Sequence, residues 1–398
     1  MKTLDVLEKL IAFDTDVQNS SLGAVHFVAN YLSDHKANVS LISKNYGGQQ
    51  DANRESLIAS FGEIEKPGII FSGHLDTTTI VEQEYLWERD PLKMTVVDGR
   101  VFGKGSTDMK GAISVLLSQV EKLKVLAKKY PVHIVLTHDD EEGVFTAINQ
   151  LKDNNFYNLF PIKQKGCIVM EPSELHPVSA HRGNKRISVD VYGKTAHGSV
   201  PHMAVDAVYY TFQLYKKAKE LAKIYFTEQD NRFEYPRTSL NISNFHAGMS
   251  DSMIPDKSHF DLSCRYVPNE NIEKFFERFY SSIRIIEDEM KEKSPECSVI
   301  ITKRNHVLPL NTKPNSEILK LVQYSANNNN AKSVTYGSEA GYFQSMGIDT
   351  VICGPGNIMY AHKPNEFVLM ADLIKYERFL SNMISFNNFH RKEFFRND

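Results

Sequence analysis

The chain has 398 residues, 41% of them apolar, with 46 Lys and Arg set against 49 Asp and Glu for a net charge of −3. That length exceeds one ordinary core and predicts two domains, while the near-balanced charge favours neither nucleic acid nor a membrane surface as partner. Cys167, Cys264, Cys297 and Cys353 are scattered without a disulfide-like spacing, and no apolar run reaches membrane-spanning length. These features predict a soluble cytoplasmic protein.

Residues 1–13 carry Leu4, Leu7, Leu10 and Ile11 among charges, the pattern of an amphipathic helix and not of a signal peptide. A helix is predicted over 20–35, then strands over 56–61 and 68–73, a turn at Asp98-Gly99-Arg100, and a helix over 109–128 with an apolar stripe at Ile113, Leu116, Leu117, Val120 and Leu123. The runs 132–136, 167–170 and 350–353 are short and apolar throughout, as buried parallel strands are. Around Arg182 the rhythm changes. A strand over 186–192, a helix over 204–224, strands over 238–245 and 259–266, a helix over 271–289 and a strand over 297–303 follow in the order β-α-β-β-α-β, the ferredoxin-like split arrangement. A helix over 315–327, the strand at Thr350 and a helix over 371–386 resume the first pattern. The predicted class is α/β, with a mixed, largely parallel sheet flanked by helices. It occupies 1–181 and 294–398, and an inserted α+β ferredoxin-like domain occupies 182–293.

The apolar runs each lead to groups able to hold a divalent metal. The run at 69–71 leads to His74 and Asp76, the next to Asp139-Asp140-Glu141-Glu142, the third to Glu171, and the last through Gly354-Pro355-Gly356 towards His362. Ligands of open α/β sheets collect beyond the carboxyl ends of the strands, so one site could gather these distant residues. His74 and Asp76 lie two apart and would share a strand face, one ligating and the other holding the imidazole from behind; a polar surface turn fits His-Leu-Asp alone equally well. Asp108 closes the turn Gly103-Lys104-Gly105-Ser106-Thr107. That turn misses the phosphate-loop spacing by one residue, and Gly105 stands where Ser or Thr is required. Asp108 therefore reads as a metal ligand or as a helix N-cap. A four-carboxylate run is usually a solvated loop, but here it follows a strand, and adjacent Glu141 and Glu142 could divide metal binding from proton transfer.

Five stretches resemble the M20 family of co-catalytic zinc amidohydrolases over nearly the whole chain: Ser72-Gly73-His74-Leu75-Asp76, Gly103 to Gly111, Asp140-Glu141-Glu142-Gly143, Glu171-Pro172-Ser173 and Ala361-His362-Lys363-Pro364. Within that family, Ala180-His181-Arg182-Gly183, Tyr336-Gly337-Ser338-Glu339-Ala340-Gly341 and Asn365-Glu366-Phe367 look most like the acetylornithine deacetylase branch. The resemblance implies two Zn²⁺ per subunit, with Co²⁺ or Mn²⁺ as alternatives. Asp108 would bridge them, His74 and Glu171 would complete one site, and Glu142 and His362 the other. Glu141 would be the general base, Asp76 would orient His74, and the Asp108–Met109 peptide would be cis. His197 would stabilise the oxyanion from the partner subunit of a homodimer built through the inserted domain. Arg265 would grip the substrate carboxylate, with Ser252 and Glu339 also in the substrate-binding set. Read without the family, His197 is a turn residue and Arg265 a surface strand arginine.

One departure is chemical: Ser252 stands where that branch usually has asparagine, and a hydroxyl has fewer donors than an amide. The implied reaction is hydrolysis of an N-acyl amino acid, N-acetyl-L-ornithine first among substrates. Aminoacylase, succinyl-diaminopimelate desuccinylase or dipeptidase activity is the runner-up, and a non-catalytic binding protein on the same fold is more remote.

Overall fold

Four of the apolar runs become the parallel centre of one sheet. In this computed structural model, which describes residues 1–46, 49–81, 83–128, 130–141, 148, 163–248 and 250–389, strand Ile69–His74 lies between Val132–Thr137 and Gly166–Pro172, and Thr350–Gly354 follows on the far side of Gly166–Pro172. All three pairings are parallel. These strands are buried at every position, which explains their continuous apolar sequence in place of the alternation of a half-buried strand. Burying each Ile or Phe side chain there stabilises the fold by about 1.5–3 kcal/mol.

Further strands extend both sides. Asn38–Tyr46 and Gln49–Phe61 form one margin, and Val178–His181 and Leu310–Asn311 the other, with Lys332–Val334 beside Val178–His181. Helices Thr3–Ala12, Leu22–Asp34, Gly111–Ser118, Val120–Ala127, Glu317–Ser325 and Met370–Phe389 cover the sheet and share one core with it. The helix predicted over 109–128 is two helices, Gly111–Ser118 and Val120–Ala127, broken at Gln119, whose φ and ψ of −97° and 12° are not helical. The short strands Leu310–Asn311, Lys332–Val334 and Phe367–Leu369 have no counterpart in the sequence reading, because two or three residues carry no usable period.

The chain divides into two compact units, Met1–Ala180 with Leu310–Asp398, and His181–Pro309. The second contains strand Gly183–Tyr192, helix Ala207–Tyr225, strands Ser239–Ala247 and Lys257–Tyr266, helix Ile272–Lys293 and strand Ser298–Val307. Gly183–Tyr192 sits between Lys257–Tyr266 and Ser298–Val307, and Ser239–Ala247 is at the edge beyond Lys257–Tyr266; every pairing is antiparallel. That is the ferredoxin-like order. A boundary at 293 would cut away strand Ser298–Val307, which pairs with Gly183–Tyr192 from Tyr192 to Asn184, so this unit runs on to Pro309. Along Lys257–Tyr266 the even positions face the two helices and are buried, while the odd ones are open.

Candidate metal centre

Parallel strands deliver their carboxyl ends to one rim, and the candidate residues meet there. His74 ends its own strand, Asp139 to Glu141 follow Val132–Thr137, and Glu171 lies near the end of Gly166–Pro172. Asp108 arrives from the turn Ser106–Lys110, where the backbone leaves helical geometry at Asp108 and Met109 and the peptide between them is cis. Gly105 opens that turn at φ +76°, a left-handed conformation that glycine adopts without steric cost.

The Asp108 carboxylate spans two imidazoles. Its Oδ1 lies 3.1 Å from His74 Nε2, and its Oδ2 lies 3.1 Å from His362 Nε2. Glu171 Oε1 is 3.9 Å from His74 Nε2, and Glu141 Oε1 is 2.8 Å from His362 Nε2. Two ligand sets close to within 4.8 Å: His74 with Asp108 and Glu141, and His74 with Asp140 and Glu171. Glu142, expected as a ligand, lies outside the described residues. Asp76 holds His74 with its main-chain oxygen, 3.0 Å from Nδ1, while its carboxylate Oδ1 stands at 3.6 Å and its Oδ2 accepts the Glu141 main-chain N–H at 2.9 Å. With Nδ1 so engaged, Nε2 is the nitrogen turned to the centre.

The electrostatics show a centre short of positive charge. Burial, then the charges of Asp108 and Asp140, raises the Glu171 carboxyl well above its ordinary range. Burial also raises Asp140, with Glu339 and Asp76 adding to it, and raises Glu141. Burial opposes a charged His74, yet the hydrogen bond and charge of Asp108 lift its pKa well above normal; His362, against the same opposition, is pushed up to about 11 by Asp108 and Glu141. Asp108 is held below its usual range because the two histidines outweigh burial. Among the described residues, Asp140 Oδ1 is buried without a hydrogen-bond partner. Nitrogen and carboxylate donors, four acids against two histidines, fit divalent metal ions.

The remaining expected residues fall elsewhere. Glu339, placed in the substrate-binding set, is 1% exposed and accepts from the hydroxyls of Ser72 (2.5 Å) and Thr137 (3.0 Å) on two neighbouring strands. It therefore lies beneath the rim, bonded to the strands and without an open face. In the second unit His197 is exposed and pairs with Met253, next to Ser252, whose main-chain oxygen accepts the Gly198 N–H at 2.8 Å. Arg265 is exposed on the open face of the sheet, opposite Asn184 and Ser239. Two features went unread. Lys104 is 2% exposed with its ammonium 2.7 Å from Asp16, a buried pair that no local spacing announces and that occupies the lysine a phosphate loop would need. Glu366 is 5% exposed and accepts main-chain N–H groups from the Asp108 turn; the motif Asn365-Glu366-Phe367 marked it as part of the resemblance but gave it no role.

Comparison with known proteins agrees with this geometry. The family model described as Peptidase family M20/M25/M40 matches residues 70–385, and the chain belongs to that family of hydrolases. Acetylornithine deacetylase from Buchnera aphidicola subsp. Acyrthosiphon pisum is 28% identical over 377 residues, covering 92% of each chain. Among solved structures, a tripeptidase from Staphylococcus aureus superposes with a TM-score of 0.69 at 18% identity, covering 97% of each chain. A dinuclear metal-binding peptidase of the M20 family from Bacillus subtilis does so with a TM-score of 0.64 at 12% identity, again over 97% of each chain. These two likenesses establish the shared fold.

Proposed function

We propose that this protein hydrolyses the amide of an N-acyl amino acid, with N-acetyl-L-ornithine as substrate, producing ornithine and acetate as a step in arginine biosynthesis. The observation that carries the proposal is the Asp108 carboxylate, with one oxygen turned to His74 and the other to His362 at the sheet rim. The likeness to acetylornithine deacetylases over 92% of the chain supports the choice of substrate.

Two Zn²⁺ held by His74, Asp108, Glu142, Glu171 and His362 would polarise the acyl carbonyl and acidify a water. Glu141 takes the proton from that water as it attacks, then returns it to the leaving amine. Its raised pKa suits a group that must both accept and release a proton. His197 donates to the developing oxyanion, a contribution of about 2.7–4 kcal/mol by analogy with single oxyanion-hole donors. Arg265 takes the substrate carboxylate through its two-pronged guanidinium.

His197 acts from a second copy in a cytoplasmic homodimer joined through the inserted unit. There, helix Ala207–Tyr225 exposes Tyr209, Phe212 and Tyr215, and the ring of Phe212 lies 6.1 Å from that of Phe245 on the edge strand Ser239–Ala247. That apolar patch supports a self-association surface.

The test is turnover of N-acetyl-L-ornithine with and without a chelator, beside a panel of N-acyl amino acids and dipeptides. Chelator-sensitive release of ornithine supports the proposal, and none from a zinc-loaded chain refutes it. Ser252 in place of asparagine favours a second reading, another amidase of the family, which the same panel would reveal.

A further inference from the structure

The turn that carries Asp108 and the segment that carries His362 are tied together by one buried side chain. Glu366 Oε1 accepts the main-chain N–H groups of Thr107 (2.9 Å) and Asp108 (3.1 Å), and its Oε2 accepts that of Gly105 (2.8 Å). Two further bonds close the clamp. The Thr107 hydroxyl donates to the Phe367 main-chain oxygen at 2.6 Å, and the Gly103 N–H donates to the Glu366 main-chain oxygen at 3.1 Å. Beyond it the two segments continue as paired strands, Phe367–Leu369 against Arg100–Phe102.

These bonds have a direction. His74 ends a strand flanked by two neighbours and is held by Asp76, so its place is set by the sheet. His362 has no such support: its side chain is 47% exposed and it sits outside any strand. Its distance from Asp108 is instead set by the few residues between it and Glu366. A side chain that accepts three main-chain N–H groups fixes the turn at three points at once.

We propose that Glu366 is a positioning residue that sets Asp108 against His362 and so builds the cation site on the His362 side of Asp108. This rests on the two-metal reading of the centre. The His74 side keeps a set of donors that the strand ends supply, His74 with Asp140 and Glu171.

The experiment titrates Co²⁺ and Zn²⁺ into metal-stripped protein by calorimetry and chelator competition, with the Co²⁺ absorption spectrum as an independent signal. Wild type, Glu366→Gln, Glu366→Asp and Thr107→Val are compared, together with their metal-free melting temperatures. Glutamine turns an N–H₂ towards a main-chain N–H, aspartate keeps the charge but shortens the reach, and valine removes the hydroxyl bond while leaving Glu366 in place. Wild type should bind two equivalents. Glu366→Gln should bind the first as before and the second about 10–100-fold more weakly, the range found for outer partners of metal ligands. Thr107→Val should shift the second in the same direction, and whatever fall in metal-free melting temperature the lost buried bonds bring, the first equivalent should bind as in wild type. Two wild-type-like equivalents in Glu366→Gln would overturn the proposal, and so would parallel weakening of both with a falling melting temperature. If Glu366→Gln does not fold, Thr107→Val decides by the same criteria. Absence of metal binding by wild type would sink the two-metal reading itself, and this inference with it, whereas two wild-type equivalents unaffected by the variants would sink this inference alone.

Discussion

The Ser72 hydroxyl donates to the Glu339 carboxylate at 2.5 Å, two residues before His74 on the same strand. Burial raises the Glu339 pKa from 4.5 to about 7, more than the bonds from Ser72 and Thr137 lower it. The folded chain therefore binds this proton more tightly than the unfolded chain does. Stability from this group is present at low pH and is lost as pH rises from about 4.5 to about 7, a change of roughly 3 kcal/mol at 1.36 kcal/mol per unit. Glu339→Gln removes the titration and keeps groups that can bond both hydroxyls. In metal-free protein, the wild-type stability minus that of Glu339→Gln should fall by about that amount between pH 4.5 and 7.5. Urea denaturation across that range measures it, and a constant difference would show that the side chain is not held as a strained acid.

Much of the centre was legible because its parts follow a rule of topology. Strand ends of a parallel sheet share a rim, so His74, Glu171 and the acids after Thr137 could be brought together from apolar runs alone. His362 was a weaker candidate from the apolar runs, since it follows the strand Thr350–Gly354 only after a loop and not directly. The depth of Glu339 was not legible because a short motif carries no sign of it: an acid beside Ala340 and Gly341 reads the same whether it is open or accepts from the hydroxyls of Ser72 and Thr137. The contacts of Glu366 and the Lys104–Asp16 pair were invisible for a related reason. Their partners lie 258 to 261 and 88 residues away, and no local period encodes such a contact.

Glu141 stands 2.8 Å from His362, where a carboxylate can either ligate a cation or serve as base. The two roles separate cleanly by substitution. Glu141→Gln keeps shape and size but loses the proton acceptor, so as base it should leave two bound metals and an unchanged melting temperature, with turnover reduced to below a few per cent. That general acid–base step is worth about 10²–10⁴-fold. Metal analysis alongside kcat decides: loss of one metal equivalent would make Glu141 a ligand and move the base role to another residue.

Protons and cations compete for this centre. His362 is pushed up to about 11 and His74 is raised above its ordinary value, so a cation must displace the proton on His362 and contends with one at His74. Loading metal at pH 7 should thus release protons, one of them from His362. Calorimetry in buffers of different ionisation enthalpy reads that number directly. The same competition makes the apparent metal affinity rise with pH through the neutral range. Release of none would mean that the histidines are not metal ligands.

Gly99 and Gly105 form a matched pair of left-handed positions with different surroundings. Gly99, at φ +72°, has nothing within 4 Å of where a Cβ would stand. A Cβ on Gly105, at φ +76°, would lie 2.8 Å from Thr77 Cγ2 and 3.0 Å from Lys110 Cδ. Gly99→Ala should therefore cost only the backbone penalty, about 1–2 kcal/mol. Gly105→Ala meets that same penalty and must also push aside Thr77 or the buried Lys110, whose ammonium donates to the Phe13 main-chain oxygen at 3.0 Å. Its main-chain N–H is one of the three that Glu366 accepts, so any shift moves the Asp108 turn. Gly105→Ala should lose more stability than Gly99→Ala in chemical denaturation and should bind metal more weakly, while Gly99→Ala binds it as wild type does. Equal stability losses with equal metal affinity would mean that the turn absorbs the added methyl group without displacing Asp108.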